Sequence, residues 1–132
     1  AQGRALLRAA RTTWPHPALD ALATGVRPAP HHPVVLGAAT AAAGGAPAQA
    51  ASIAVYGAVT GPAGAAVRLL GLDPLAVHRI LADLAPAMDT VAAEAARAAE
   101  DGDWAALPAL SAPALDLFAE LHVGADLRLF ES

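Results

Sequence analysis

Hydrophobic and polar positions repeat along this chain mainly with the period of an α-helix, and no long stretch alternates with a period of two. The first predicted helix has one apolar face, made of Leu6, Leu7, Ala10 and Trp14. Another face of the same helix carries a stripe of arginines, Arg4, Arg8 and Arg11. The pattern predicts an all-α fold.

Prolines and glycines divide the rest of the chain into further helices. A short helix is predicted over Ala18–Thr24, and the segment from Val26 to Pro33 is predicted to be a loop because prolines favour extended backbone before them. A longer helix is expected from Pro33 to Ala43, with the Gly44-Gly45 pair past its end. Further helices are expected from Pro47 to about Leu70 and from Leu75 onward, the last capped by Asp73. Pro86 should kink or divide that helix, and Ser111 should cap the final one. We therefore expect a single helical domain over residues 1–132, a bundle of about six or seven helices with a central Gly/Ala-rich helix.

The stretch from Ala50 to Val67 has no charged residue. Its length of 18 residues is close to the lower limit for a membrane-spanning helix. Small residues dominate it, Pro62 interrupts it and no aromatic belt flanks it, so we interpret it as a buried helix of a soluble protein. Its glycines, Gly57, Gly61 and Gly64, form a small-residue strip that favours close packing against another helix or a second subunit. The alternative is a break between two shorter helices at Gly61-Pro62.

The composition excludes several kinds of site. Cysteine and lysine are both absent, which rules out disulfides, thiolate metal sites and a phosphate-binding loop that ends in lysine. The formal net charge of −4 gives no reason to expect nucleic acid as a partner.

Candidate chemistry is sparse. His31 and His32 are weak candidates for a metal site, because adjacent loop histidines rarely face one ion without further ligands, and packing is favoured. Asp116 and Glu120 lie one turn apart, opposite the apolar face of the last helix that contains Leu115, Phe118, Leu121, His122 and Ala125. Arg68 is the one charge at an apolar helix end, open to an ion pair, a phosphate, a partner contact or a solvent-reaching role. These features favour a helical interaction domain with no catalytic residues.

Four segments together resemble the second half of the UreF family of urease accessory proteins. They are "QGRALLRAARTTWP", "HHPVVLGAATAAAG", "YGAVTGPAGAAVRLLGLDP" and the closing "RLFES", and their order and spacing cover the chain from Gln2 to Ser132. The alanine-rich style resembles actinobacterial sequences. Family members are usually longer and carry N-terminal Gly-Ala-Phe-x-His-Ser-like and Gly-Leu-Glu elements that this sequence does not contain, so we expect it to be a C-terminal part.

The resemblance implies a cytoplasmic, non-enzymatic chaperone that helps assemble the nickel centre of urease. It would bridge the UreD/UreH accessory protein and the GTPase UreG, with Ni²⁺ delivered to apo-urease by the assembly and no cofactor bound directly. It also implies a homodimer for the full-length protein and a C-terminal tail that contacts UreD/UreH. That role would fall to Arg128, Leu129 and Phe130, where apolar side chains lie near a free end. A regulator of the GTPase acting through an arginine such as Arg68, and a nickel carrier acting through His31 and His32, remain alternatives.

Overall fold

The structure is a computed structural model that describes residues 2–100, 102–103, 105–108 and 110–124. Over these residues it contains helices and no β-strand, which confirms the all-α prediction. The six helices are α1 (Gln2–Thr13), α2 (Pro17–Gly25), α3 (His32–Ala42), α4 (Pro47–Leu70), α5 (Pro74–Glu100) and α6 (Pro113–Val123).

Proline sets the beginning of most of these helices. A proline occupies the first or second position of α2, α3, α4 and α6, and Pro74 is the first residue of α5. The first turn tolerates proline because its missing N–H has no helical partner there and its fixed φ suits the helix. Two side chains satisfy N–H groups that α2 and α5 leave open: His16 Nδ1 accepts from Ala18 at 3.1 Å and Asp73 Oδ1 accepts from Leu75 at 3.0 Å.

The predicted cap of the last helix is wrong. The N-cap residue of α6 is Ala112, which makes no side-chain capping hydrogen bond, and Ser111 precedes it. Pro113 explains the shift, because a proline favours the first helical position and so places the N-cap at the residue before it. Ser111 is therefore one residue too early to cap the helix.

The hydrophobic core lies among the three N-terminal helices. Leu19 of α2 and Val35 of α3 are fully buried, and Leu7, Ala10 and Ala39 complete the cluster. On α1 the buried residues are Gly3, Leu7 and Ala10, which follow helical spacing along one face. Trp14, which the sequence pattern assigned to that face, is 46% exposed because α1 ends at Thr13 and the chain turns away at Pro15.

A close backbone approach fixes α1 against the loop before α3. A Cβ atom on Gly3 would overlap the carbonyl oxygen of Pro30 and lie 3.1 Å from the backbone nitrogen of His32. Only glycine fits at this position, because any side chain would push the loop away from the helix. The arginine stripe of α1 lies on the solvent side, where the Arg11 guanidinium pairs with Asp20 of α2 at 2.7 Å.

α4 and α5 form a long hairpin that joins the core through α3. Both helices continue through their internal prolines, so the alternative break at Gly61-Pro62 and the division of α5 at Pro86 are wrong. Gly61 makes it easier for α4 to continue through Pro62. A proline ring clashes with the Cβ of the helical residue before it, and glycine has no Cβ. α4 links α3 to α5, yet none of its residues is buried, in contrast to the buried helix that the sequence indicates.

The length and apolar composition of α4 would suffice to cross a membrane, and no residue of its apolar window is buried. One such helix is weak evidence, since core helices pass the same test. α4 also packs along α5, which exposes charged side chains such as Arg79, Asp83 and Glu94. The absence of a membrane role stays a prediction.

Candidate interaction surface

The turn between α4 and α5 exposes a cluster of leucines. Gly71 adopts a left-handed conformation, φ 64°, that ends α4, and Asp73 caps α5 two residues later. Capping on both sides fixes the backbone of the turn while the leucine side chains remain in solvent. The cluster consists of Leu69, Leu70, Leu72 and Leu75, with exposed fractions from 43% to 80%. Contiguous apolar patches of this kind mark interaction surfaces in folded proteins.

Two of the depressions along the α4–α5 hairpin differ in their chemistry. The first, the mixed cleft, has a volume of ≈ 470 Å³. Tyr56, Thr60, His78 and Asp89 line it together with apolar side chains, among them Val67, Leu81 and Met88. The second, the apolar groove, measures ≈ 360 Å³. It is lined by Val55, Ala58, Val59, Leu84, Ala87, Met88 and Val91. The mixed cleft offers hydrogen-bonding groups beside apolar side chains, whereas the apolar groove suits only an apolar surface.

α6 stands apart from the rest of the described chain. It contacts none of the other described helices. Asp116 and Glu120 lie on one side of it and are exposed, as the sequence predicts. The other side is apolar and equally exposed. The exposed fractions range from 59% to 67% for its four large side chains, Leu115, Leu117, Phe118 and Leu121. This helix therefore presents an apolar face that nothing in the described chain covers.

The glycine strip of α4 makes no close contact with another helix in the part of the chain that the structure describes. A Cβ atom built on Gly57 or Gly61 would meet no atom within 4 Å, and one on Gly64 would meet only the Arg68 side chain, at 3.6 Å. The packing against another helix of the same chain is thus not seen among the described residues. Packing of Gly57, Gly61 and Gly64 against a second subunit stays a prediction.

His31 and His32 lie at the start of α3, exposed beside a surface depression of ≈ 430 Å³ that Gln2, Gly3 and Arg4 also line. His31 is the N-cap residue of α3 but makes no side-chain capping hydrogen bond. Among the described residues no group of three His, Asp or Glu side chains is placed to hold a metal ion. Nickel binding by this pair stays untested.

Arg68 lies in the last turn of α4, where its positive charge complements the negative end of the helix dipole. Its guanidinium reaches back toward Gly64, one turn earlier, and the residue is exposed.

The predicted tail residues Arg128, Leu129 and Phe130, like Ala125 of the predicted apolar face, lie outside the described residues. Sequence reasoning had not selected the leucines of the α4–α5 turn or the apolar groove. The signal for the turn was present in "LLGLDPL", which places apolar residues on both sides of turn-forming Gly71, Asp73 and Pro74. The groove had no such signal, because it requires two helices to pair.

Comparison with known proteins identifies relatives over the whole chain. The family model named UreF matches residues 1–85. A urease accessory protein UreF from Mycobacterium sp. (strain JLS) is 45% identical over 132 residues, covering 100% of this chain and 57% of the relative. Proteins of the same name from Mycolicibacterium vanbaalenii and Mycobacterium marinum are each 41% identical, with 56% of the relative covered.

The chain spans just over half the length of these relatives. No solved structure matches it. The mycobacterial relatives confirm the actinobacterial resemblance, and the family model covers well over half of the chain. The chain belongs to the UreF family.

Proposed function

We propose that this chain acts in urease maturation as a non-enzymatic accessory protein. In this role it bridges the UreD/UreH accessory protein and the GTPase UreG, in the cytoplasm, so that the assembly delivers Ni²⁺ to apo-urease. Full-length copies form a homodimer. The observation that carries the proposal is the relationship to proteins named urease accessory protein UreF over the whole chain.

The described surface supports a role in binding other proteins. Many large apolar side chains are exposed on the leucine cluster of the α4–α5 turn, on the apolar groove and on α6, while the core itself is small. Large apolar side chains that stay in water cost free energy, roughly 1.5–3 kcal/mol each relative to full burial. A protein that spends most of its time in an assembly recovers that free energy when partners cover these surfaces.

The partner-binding role is tested by copurifying the full-length protein with UreD/UreH and UreG. We expect the three proteins to form one complex. The double substitution Leu129→Ala/Phe130→Ala should weaken UreD/UreH binding at least about tenfold, because it removes two apolar side chains that the partner would bury. Binding to UreG should stay unchanged.

The matched control is Glu131→Ala with Ser132→Ala, which alters the same tail without removing apolar surface. We expect it to bind UreD/UreH like the parent. Unaltered binding by the Leu129→Ala/Phe130→Ala variant would contradict the tail contact, and failure of the parent to bind either protein would contradict the bridging role.

A further inference from the structure

Positive charge is concentrated in the N-terminal part of this acidic chain. Residues 1–46 contain four of the eight arginines and only one of the twelve acidic residues, Asp20, which gives a formal charge of +3. Residues 47–132 contain the other four arginines and eleven acidic residues, which gives −7. A molecule with a net charge of −4 therefore carries a basic region that attracts negative groups.

Three of these arginines lie on one exposed face of α1. Arg4, Arg8 and Arg11 are four and three residues apart, so their side chains share one side of the helix. Arg11 is already paired with the carboxylate of Asp20, at 2.7 Å. Arg4 and Arg8 make no ion pair or side-chain hydrogen bond in the part of the chain that the structure describes. Like charges one turn apart repel each other, and an external carboxylate would relieve that repulsion.

A cleft beside the start of α1, the α1–α3 cleft, continues this basic surface. It measures ≈ 430 Å³, and Arg4 lines it together with His31 and His32. The close backbone approach of Gly3 to Pro30 brings α1 against the loop before α3, and so places the arginine and the two histidines around one cleft. Guanidinium and imidazole groups donate hydrogen bonds, which both oxygens of a carboxylate can accept. The cleft therefore combines hydrogen-bond donors with the positive charge of Arg4.

The size and charge of this surface favour a short acidic segment as its ligand. Arg4 and Arg8 are separated by a rise of about 6 Å along α1, so two carboxylates one helical turn apart, or two residues apart on an extended segment, can meet both. A nucleic acid needs positive potential over a longer path, and the eleven acidic residues after position 46 repel a long polyanion. A short segment touches the basic face alone.

We propose that the arginine stripe of α1 and the α1–α3 cleft bind an acidic segment of a partner protein. One carboxylate of the segment pairs with Arg8, and another enters the cleft, where it accepts hydrogen bonds from Arg4 and from His31 or His32. Arginine suits this contact because its planar guanidinium donates two parallel hydrogen bonds to one carboxylate. The inference goes beyond the proposed function, since it assigns a second surface and the chemistry of its partner whichever assembly the chain joins.

The test follows the binding of a peptide of eight glutamates to the isotope-labelled chain by NMR. We expect the largest amide shifts at the cleft residues and along α1 at Arg4 and Arg8. The double substitution Arg4→Gln/Arg8→Gln should raise the dissociation constant at least about threefold, because two charge-assisted contacts are lost. Both residues are exposed and glutamine favours a helix, so the fold is retained, and circular dichroism checks it.

The matched control is Arg79→Gln/Arg97→Gln. It removes two exposed arginines of α5 and so changes the net charge by the same amount, yet it should bind the peptide like the parent. A peptide of eight glutamines should cause no shifts, because the contact requires carboxylates. Added salt should weaken the binding of the glutamate peptide, because the contact is electrostatic and solvent-exposed.

Equal dissociation constants for the parent and the Arg4→Gln/Arg8→Gln variant would overturn the inference. Equal weakening by the α5 control would also overturn it, because binding would then follow net charge and not the stripe. Tighter binding of an RNA of eight uridylates would overturn it in favour of a nucleic acid. Self-association that Arg4→Gln/Arg8→Gln abolishes, measured by sedimentation, would overturn it and identify the acidic region of a second copy as the occupant.

Discussion

At the start of α1, Gly3 lets the helix backbone reach the loop at Pro30, and this contact joins two segments far apart in the chain. Gly3→Ala should lower the free energy of unfolding by about 1–3 kcal/mol, because the added methyl overlaps a backbone carbonyl that has little room to move. Chemical denaturation of the purified chain measures the change.

The control for this variant is Gly57→Ala. An added Cβ at Gly57 meets no atom within 4 Å, and alanine suits a helix interior better than glycine, so we expect a gain of about 0.5–1 kcal/mol. A loss at Gly57 as large as that at Gly3 would show that the glycine strip of α4 is covered in the isolated chain.

His16 holds the first turn of α2 through its ring nitrogen, an uncommon choice for a helix cap. His16→Ala should destabilise the chain by about 0.5–2 kcal/mol, because the N–H of Ala18 loses its acceptor. His16→Asn should restore most of that stability, since asparagine is a preferred N-cap residue. Thermal unfolding followed by circular dichroism compares the three proteins, and equal stability of all three would refute a capping role for His16.

The sequence predicted the role of a residue best where that role depends only on its neighbours in the chain. Asp73 was predicted to cap α5 and does so, because a cap needs only the two following residues. Gly3 gave no signal, because its partner Pro30 is 27 positions away and no periodic pattern reports a backbone approach at that distance. The prediction for Trp14 was wrong because helical periodicity placed it on the apolar face of α1, whereas the helix ends one residue earlier, at Thr13.

At the scale of elements, α2 is attached to the core largely through Leu19, which has no exposed surface. Leu19→Ala should cost about 2–5 kcal/mol, the range for removing a buried leucine and leaving a cavity. Leu75→Ala is the control, since Leu75 is 80% exposed and its truncation should change stability by less than about 0.5 kcal/mol. Urea denaturation gives both values, and similar losses would contradict the location of the core.

Helix positions were largely predictable, because prolines begin the helices and glycines such as Gly25 and Gly71 end them. The continuity of α4 and α5 through Pro62 and Pro86 was less evident from the sequence. A proline breaks a helix only when the gain from packing fails to offset its cost, and that gain depends on the partner helix. α4 and α5 supply it to each other.

For the whole molecule, the uneven distribution of buried side chains predicts uneven stability. Amide hydrogens of α1 and α3 around Leu7 and Val35 should exchange most slowly, and those of α6 should exchange fastest. Hydrogen exchange followed by mass spectrometry measures this order. Protection of α6 equal to that of α3 would contradict this uneven stability.

The assignment of the core to α1–α3 was not available from the sequence. Apolar residues are as frequent in α4 and α5 as in the first three helices, and periodicity alone does not say which helix pairs with which. Alanine adds to the difficulty, because it is compatible with a core, a surface and a contact between subunits. For this reason the charge-free stretch from Ala50 to Val67 was predicted to be buried, although α4 has no buried residue.

The small core also bears on how the chain folds as it leaves the ribosome. All members of the cluster lie between Leu7 and Ala39, so every contact that defines it exists once this short segment has emerged. Contacts between residues near in sequence form quickly because little chain entropy is lost in closing the loops between them. The three-helix unit then offers α3 as a ready surface for α4, and α5 pairs with α4 as the next neighbour in the chain. Each of the helices from α1 to α5 thus meets its folding partner without waiting for a distant segment.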